Sequence, residues 1–327
     1  MKRIFATALL ALLSLASVAA AEPVSVFVSI LPQKFFVERI GGERVNVSVL
    51  VEKGRDPHVF EPLPAQMAAL ATAKAYFAIG LPFEETLLPR AESLNPGLKV
   101  YRTDEGIDKI AGSCDHDHEH HHEGKDGKHE HKHEHKDEKH EHKHEKHEHK
   151  HEHKDEKHEH HAHHHEGADP HVWNGPGEVV HMAGKILAGL IEIDPDGREE
   201  YTRRHAAFVE RVKTMDAEFS RLFRGKMGAS FLVFHPAWAY FARSYGLVEV
   251  AIETEGKEPK AADLANIISE AKERGVKVIF ISPQFSKRSA EIVAQAVGAT
   301  VETVNPLSEE WEENLRAVAK AIAEAAK

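Results

Sequence analysis

The segment Arg198–Arg224, REEYTRRHAAFVERVKTMDAEFSRLFR, contains no proline and no glycine. Within it Tyr201, His205, Phe208, Val212, Met215, Phe219 and Leu222 recur at alternating intervals of four and three, the period of one face of an α-helix. At 1.5 Å per residue such a helix spans about 40 Å, enough to run along two domains. The sequence on either side says what it joins. Downstream, strands are expected at Ser230–Phe234, Val248–Ile252, Val276–Ile281 and Thr300–Val304, with helices at Trp238–Tyr245, Ala261–Arg274, Ser286–Val297 and Glu309–Ala326. Upstream, strands are expected at Val24–Ile30, Val45–Val51, Ala75–Ile79 and Lys99–Tyr101, with helical patterns at Phe35–Ile40, from Pro64 to Ala73, from Phe83 to Leu88 and at Glu178–Ile191. Strands that alternate with helices pair in parallel. The expected fold class is α/β: two lobes with mostly parallel sheets, joined by one long backbone helix.

The upstream half is interrupted. From Asp115 to Glu166 His, Glu, Lys and Asp crowd out the apolar residues, and 22 of the chain's 27 histidines sit there. That composition cannot bury enough apolar surface to offset the entropy of ordering, so it reads as a solvated, disordered insert. It holds a duplication: His129–His142, HEHKHEHKDEKHEH, recurs residue for residue at His147–His160. With 10 Lys against 17 Asp and Glu, the insert supplies −7 of the formal net charge of −11. The remainder is nearly balanced and has no basic face, which argues against nucleic-acid binding. It is also long enough for two lobes with cores of their own.

The N-terminus runs Met1-Lys2-Arg3, then an apolar stretch from Ile4 to Ala16, then Ala19-Ala20-Ala21 before Glu22. This is the pattern of a secretory signal peptide cleaved after Ala21, and the apolar stretch is shorter than the roughly 20 residues a membrane span requires. No cysteine stands at the cleavage region, so a lipid anchor is not indicated, and the mature protein is expected in the periplasm. Cys114 is the single cysteine; no internal disulfide can form, and beside the insert it is either a bystander thiol or an extra soft metal ligand. The expected divisions are a signal peptide at 1–21, a first lobe at 22–114 and 167–197 interrupted by the insert at 115–166, the linking helix at 198–226 and a second lobe at 227–327.

Five histidines lie outside the insert. His181 and His205 fall inside helical patterns and read as solvated or packed helix residues. His58, His171 and His235 differ: each follows a strand or ends a loop, each has a proline beside it, and two share the tripeptide Asp-Pro-His. Three such histidines at comparable loop positions point to a shared metal site. Neutral imidazoles suit Zn²⁺, a borderline ion, and leave a fourth position for water or a carboxylate; Mg²⁺ or Ca²⁺ would require oxygen ligands. Because imidazole must be neutral to bind and titrates near pH 6.5, affinity is expected to fall below about pH 6.

These residues resemble a known family, the metal-binding receptors of bacterial ABC importers for zinc and manganese, and most of all its ZnuA group. The resemblance spans nearly the whole mature chain apart from the insert. It rests on Arg55-Asp56-Pro57-His58-Val59-Phe60-Glu61-Pro62, Asp169-Pro170-His171-Val172-Trp173, Phe234-His235-Pro236-Ala237-Trp238-Ala239-Tyr240-Phe241-Ala242 with Tyr245-Gly246-Leu247, and Val304-Asn305-Pro306-Leu307. It implies two α/β lobes bridged by one helix with the metal between them, ligands at His58, His171 and His235, and a monomeric periplasmic receptor that passes Zn²⁺ to an ABC transporter permease in the inner membrane. Manganese-type members typically carry a carboxylate where this chain has His235, so the resemblance implies zinc; a His- and acid-rich loop before the second motif is also a zinc-type feature. The late motif departs from the family, which usually has Asp where this chain has Asn305. The fourth ligand is then water, a water held by Asn305, or a carboxylate such as Glu61 or one from the insert.

Two other functions fit parts of the sequence. A three-histidine zinc with an open position can activate water for hydrolysis, but no G-x-S-x-G motif or Gly-rich phosphate loop is present. The H-E-x-x-H match at His118–His122 is what a tract of His and Glu produces by composition. A zinc store or buffer built on the insert is the other alternative. The non-enzymatic receptor is preferred, with the insert aiding capture or regulating uptake.

Overall fold

The computed structural model describes residues 22–111, 167–253 and 259–325. The expected signal peptide, Cys114 and the histidine-rich insert lie outside the described residues.

The first lobe comprises β1 (Val24–Ile30), α1 (Leu31–Gly41), β2 (Val45–Val51), α2 (Pro64–Leu70), β3 (Ala75–Ala78), α3 (Pro82–Leu94) and β4 (Lys99–Arg102). After the insert come α4 (Pro176–Ile193) and the long helix α5 (Arg198–Leu222). The second half continues with β5 (Ser230–Val233), α6 (Ala239–Tyr245), β6 (Val248–Ala251), α7 (Ala261–Glu273), β7 (Val278–Ile281), α8 (Arg288–Val297), β8 (Thr300–Thr303) and α9 (Trp311–Ala325). The sheets are wired alike, β2-β1-β3-β4 and β6-β5-β7-β8, and every pair is parallel. Parallel strands of one lobe end on the same rim, and in open α/β sheets that carboxyl rim is where ligands bind.

Many element ends fall one to several residues from the sequence expectation, and two of the differences have a plain local reason. Helix α1 begins at Leu31 rather than Phe35, with Pro32 in its first turn, where the missing N–H would have had no intrahelical partner. Strand β7 begins at Val278 rather than Val276, because Val276 N–H donates to Ala271 O at 2.9 Å in the turn that ends α7. Gly275 sits in that turn at φ +63°, a conformation glycine adopts without steric cost.

Helix α5 is 25 residues long and buries Tyr201, Phe208, Val212, Met215 and Phe219. Phe208 meets Phe36 of α1 at 5.8 Å between ring centroids, while Phe219, in the last turn of the helix, meets Phe241 of α6 at the same distance of 5.8 Å. One apolar stripe therefore packs on both halves of the molecule. Helix α9 makes a second crossing: Trp311 lies edge-on to Phe36 at 5.0 Å and its Nε1–H donates to Trp173 O at 2.8 Å.

Candidate metal centre

His58 lies in a single 3₁₀ turn, Pro57–Val59, in the loop after β2. Asp56 Oδ1 accepts from His58 N–H at 2.9 Å, and Asp169 Oδ1 accepts from His171 N–H at 2.8 Å. The repeated Asp-Pro-His is thus a folding device, an Asx turn whose aspartate satisfies the backbone two residues on while proline restricts the residue between. His235 follows the end of β5; the preceding Phe234 N–H still bonds Phe280 O at 2.8 Å, so the carboxyl end of a central strand positions this histidine.

These three loops bring His58, His171 and His235 together. His58 Nε2 lies 3.1 Å from His235 Nε2, and His235 Nε2 lies 3.2 Å from His171 Nε2. Tetrahedral zinc with Zn–N bonds of about 2.0–2.1 Å places its nitrogens about 3.3 Å apart, so the spacing fits that ion. The other ring edges decide the tautomers. His171 Nδ1 donates to Asp169 Oδ1 at 2.7 Å, and His235 Nδ1 donates to Glu253 Oε1. With the proton held on Nδ1, the Nε2 lone pairs of those two rings point at each other, an arrangement a cation resolves. Carboxylates behind ligating histidines also orient the rings and raise their basicity.

The electrostatics agree. Burial, and then the rings of His171 and His235, push the His58 imidazole down to about 3 against the opposing pull of Asp169, which keeps it neutral. Burial raises the Asp169 carboxyl, but the electrostatic pull and the hydrogen bonds of His171, with a further pull from His235, outweigh it and hold the group below its ordinary value. His171 and His235 are 5% and 7% exposed. Pro57, Trp173, Phe285, Pro306 and Leu307 line most of the rest of the small cavity, with Asp56 and Gln284 its other polar residues, so the donors sit in a largely apolar surround.

His181 and His205 lie elsewhere. His181 is exposed on α4 with its Nε2 2.8 Å from Glu105 O, and His205 is on α5. Of the named candidates for the fourth ligand, Glu61 is exposed and is not grouped with the three histidines, and Asn305 Oδ1 accepts from Leu307 N–H and Gln284 Nε2, each at 3.1 Å. Sequence reasoning missed Glu253. Its position follows from strand register, because β5 and β6 pair Val233 with Ala251 and Glu253 N–H continues the ladder to Phe234 O at 3.0 Å. Only knowledge that these two strands are neighbours would have placed that carboxylate beside His235.

The family model described as "Zinc-uptake complex component A periplasmic" matches residues 26–325. A high-affinity zinc uptake system protein ZnuA from Bacillus subtilis is 29% identical over 88% of this chain and 79% of its own. The zinc-binding lipoprotein AdcA of Streptococcus pneumoniae is 26% identical over 86% of this chain, which spans 50% of that longer protein. A crystal structure of a ZnuA deletion mutant with zinc bound is 35% identical with a TM-score of 0.74, covering 93% of this chain and 98% of the other.

Proposed function

Because this chain belongs to the ZnuA family, we propose that it is a periplasmic zinc-binding receptor that captures Zn²⁺ and hands it to the permease of an ABC importer. His58, His171 and His235 hold the ion, and the protein works as a monomer without hydrolytic activity. The observation that carries this reading is the convergence of three Nε2 atoms, two of them on rings whose Nδ1–H is committed to a carboxylate. Zinc is cargo here. Three neutral imidazoles hold it through uncharged donors, and the carboxylates of Asp169 and Glu253 stand one hydrogen bond behind two of the rings.

The decisive experiment is zinc titration against a competing chelator for the wild type and His235→Ala. Loss of a ligand whose carboxylate then stays buried and unpaired should cost orders of magnitude in affinity; wild-type affinity in the variant would overturn the ligand assignment. Ester and peptide substrates offered to the zinc-loaded protein should not be turned over.

A further inference from the structure

Resting on the three-histidine reading, we propose that Gln284 completes the site, its Oε1 occupying the side of the metal that no histidine covers. Gln284 lies in the turn after β7, on the carboxyl rim of the second sheet, and lines the same cavity as His58, His171 and His235. Its neighbour Phe285 packs against the His235 ring at 4.7 Å between centroids, which ties the turn to a ligand.

The orientation of the amide follows from its partners. Leu307 N–H donates to Asn305 Oδ1 at 3.1 Å, so Asn305 presents an acceptor and the glutamine must offer Nε2 to it, also at 3.1 Å. A flipped glutamine would set two acceptors against each other. Asn305 lies off the cavity wall; the amide end bound to it therefore turns outward, and the end left for the cavity is Oε1. That oxygen is buried and has no hydrogen-bond partner among the described residues. Buried carbonyl oxygens without a donor are rare, and one at a ligand site points to an unmet partner.

A zinc ion held by three imidazoles supplies that partner, either bonding the oxygen directly or through a coordinated water that donates to it. Both forms use the same lone pair and require the same fixed amide. Asn305 thus acts one step back, as the anchor that holds Gln284, and every donor to the ion is itself neutral.

The test compares Gln284→Leu, which removes the oxygen at similar volume, with Gln284→Glu, which keeps one, and with His235→Ala. Zinc affinity is measured by chelator competition, and the cobalt(II)-loaded proteins by visible absorption. Gln284→Leu should lose about tenfold or more in affinity, the scale of residues that support metal ligands, and its cobalt bands should shift; Gln284→Glu should bind at least as tightly as the wild type. Melting curves of the zinc-free proteins check that the fold is intact, and the cobalt spectrum separates a lost donor from a merely loosened turn. Wild-type affinity and an unchanged cobalt spectrum in Gln284→Leu would overturn the proposal while leaving the histidines in place. Zinc retained by His235→Ala would instead overturn the site itself.

Discussion

His58 stays neutral where an ordinary imidazole would take a proton. In the unfolded chain it does so below about pH 6.5, whereas in the fold it does so only near 3. Between these values the unfolded state binds more protons, so the stability of the zinc-free protein should fall as pH drops through that window and be unaffected by His58 above it. Ring proton shifts of His58 in the zinc-free protein should accordingly remain those of neutral imidazole at pH 5, and a midpoint near 6.5 would contradict the burial argument. Proton competition at His58 therefore sets in lower than its sequence alone suggests. Asp169 offers a second test at this scale. Asp169→Asn keeps an acceptor for His171 N–H but removes the charge behind the ring, and zinc affinity should drop about 10–100-fold with the fold intact, measured by chelator competition and circular dichroism.

At the scale of elements, α5 carries most of its sequence pattern into packing: Tyr201, Phe208, Val212, Met215 and Phe219 of the stripe read from threes and fours are buried, while His205 is half-buried and Leu222, at the end of the helix, is exposed. Phe208 is 2% exposed and touches both Phe35 and Phe36 of α1. Phe208→Ala should destabilise by about 3–5 kcal/mol, the usual cost of deleting a fully packed aromatic ring, read by urea denaturation of the zinc-free protein. A loss below about 1 kcal/mol would mean that the helix does not rest on that contact. The helices were legible in sequence because 3.6-residue periodicity is written locally. Their exact ends were less so, as at α1, which starts at Leu31, four residues before the periodic pattern, and takes Pro32 into its first turn.

Across the whole molecule, one apolar cluster runs from β1 through α4 and α5 to α9, and beside the three histidines hydrogen bonds join the two halves from Trp173 Nε1–H to Pro306 O and from Asn174 Nδ2–H to Ala237 O, both at 2.7 Å. A wide hinge opening would expose this shared core, so metal release is expected through small rotation or loop displacement. The insert is tied at its base: Ala111 and Ala168 form an antiparallel bridge, and Asp169 N–H donates to Ile110 O at 2.9 Å. Replacing residues 112–166 by a short linker should therefore leave the fold and one tight zinc per chain, while the intact protein binds further ions more weakly. Metal analysis and calorimetry on both proteins check this; tight binding that vanishes with the insert would move the function to the insert.

By itself the sequence determined the alternation of strands and helices, the length and buried face of α5, and the three histidines with chemistry suited to zinc, because periodicity and residue type are local properties. Only the tertiary structure decided that His58 and His235, 177 positions apart, face each other at 3.1 Å, that Glu253 backs His235, and that Gln284 lines the same cavity with a buried Oε1 that has no hydrogen-bond partner among the described residues. Those facts depend on which strands are neighbours and in what register. Pairing of that kind is a property of the packed chain, and no short stretch of sequence encodes it.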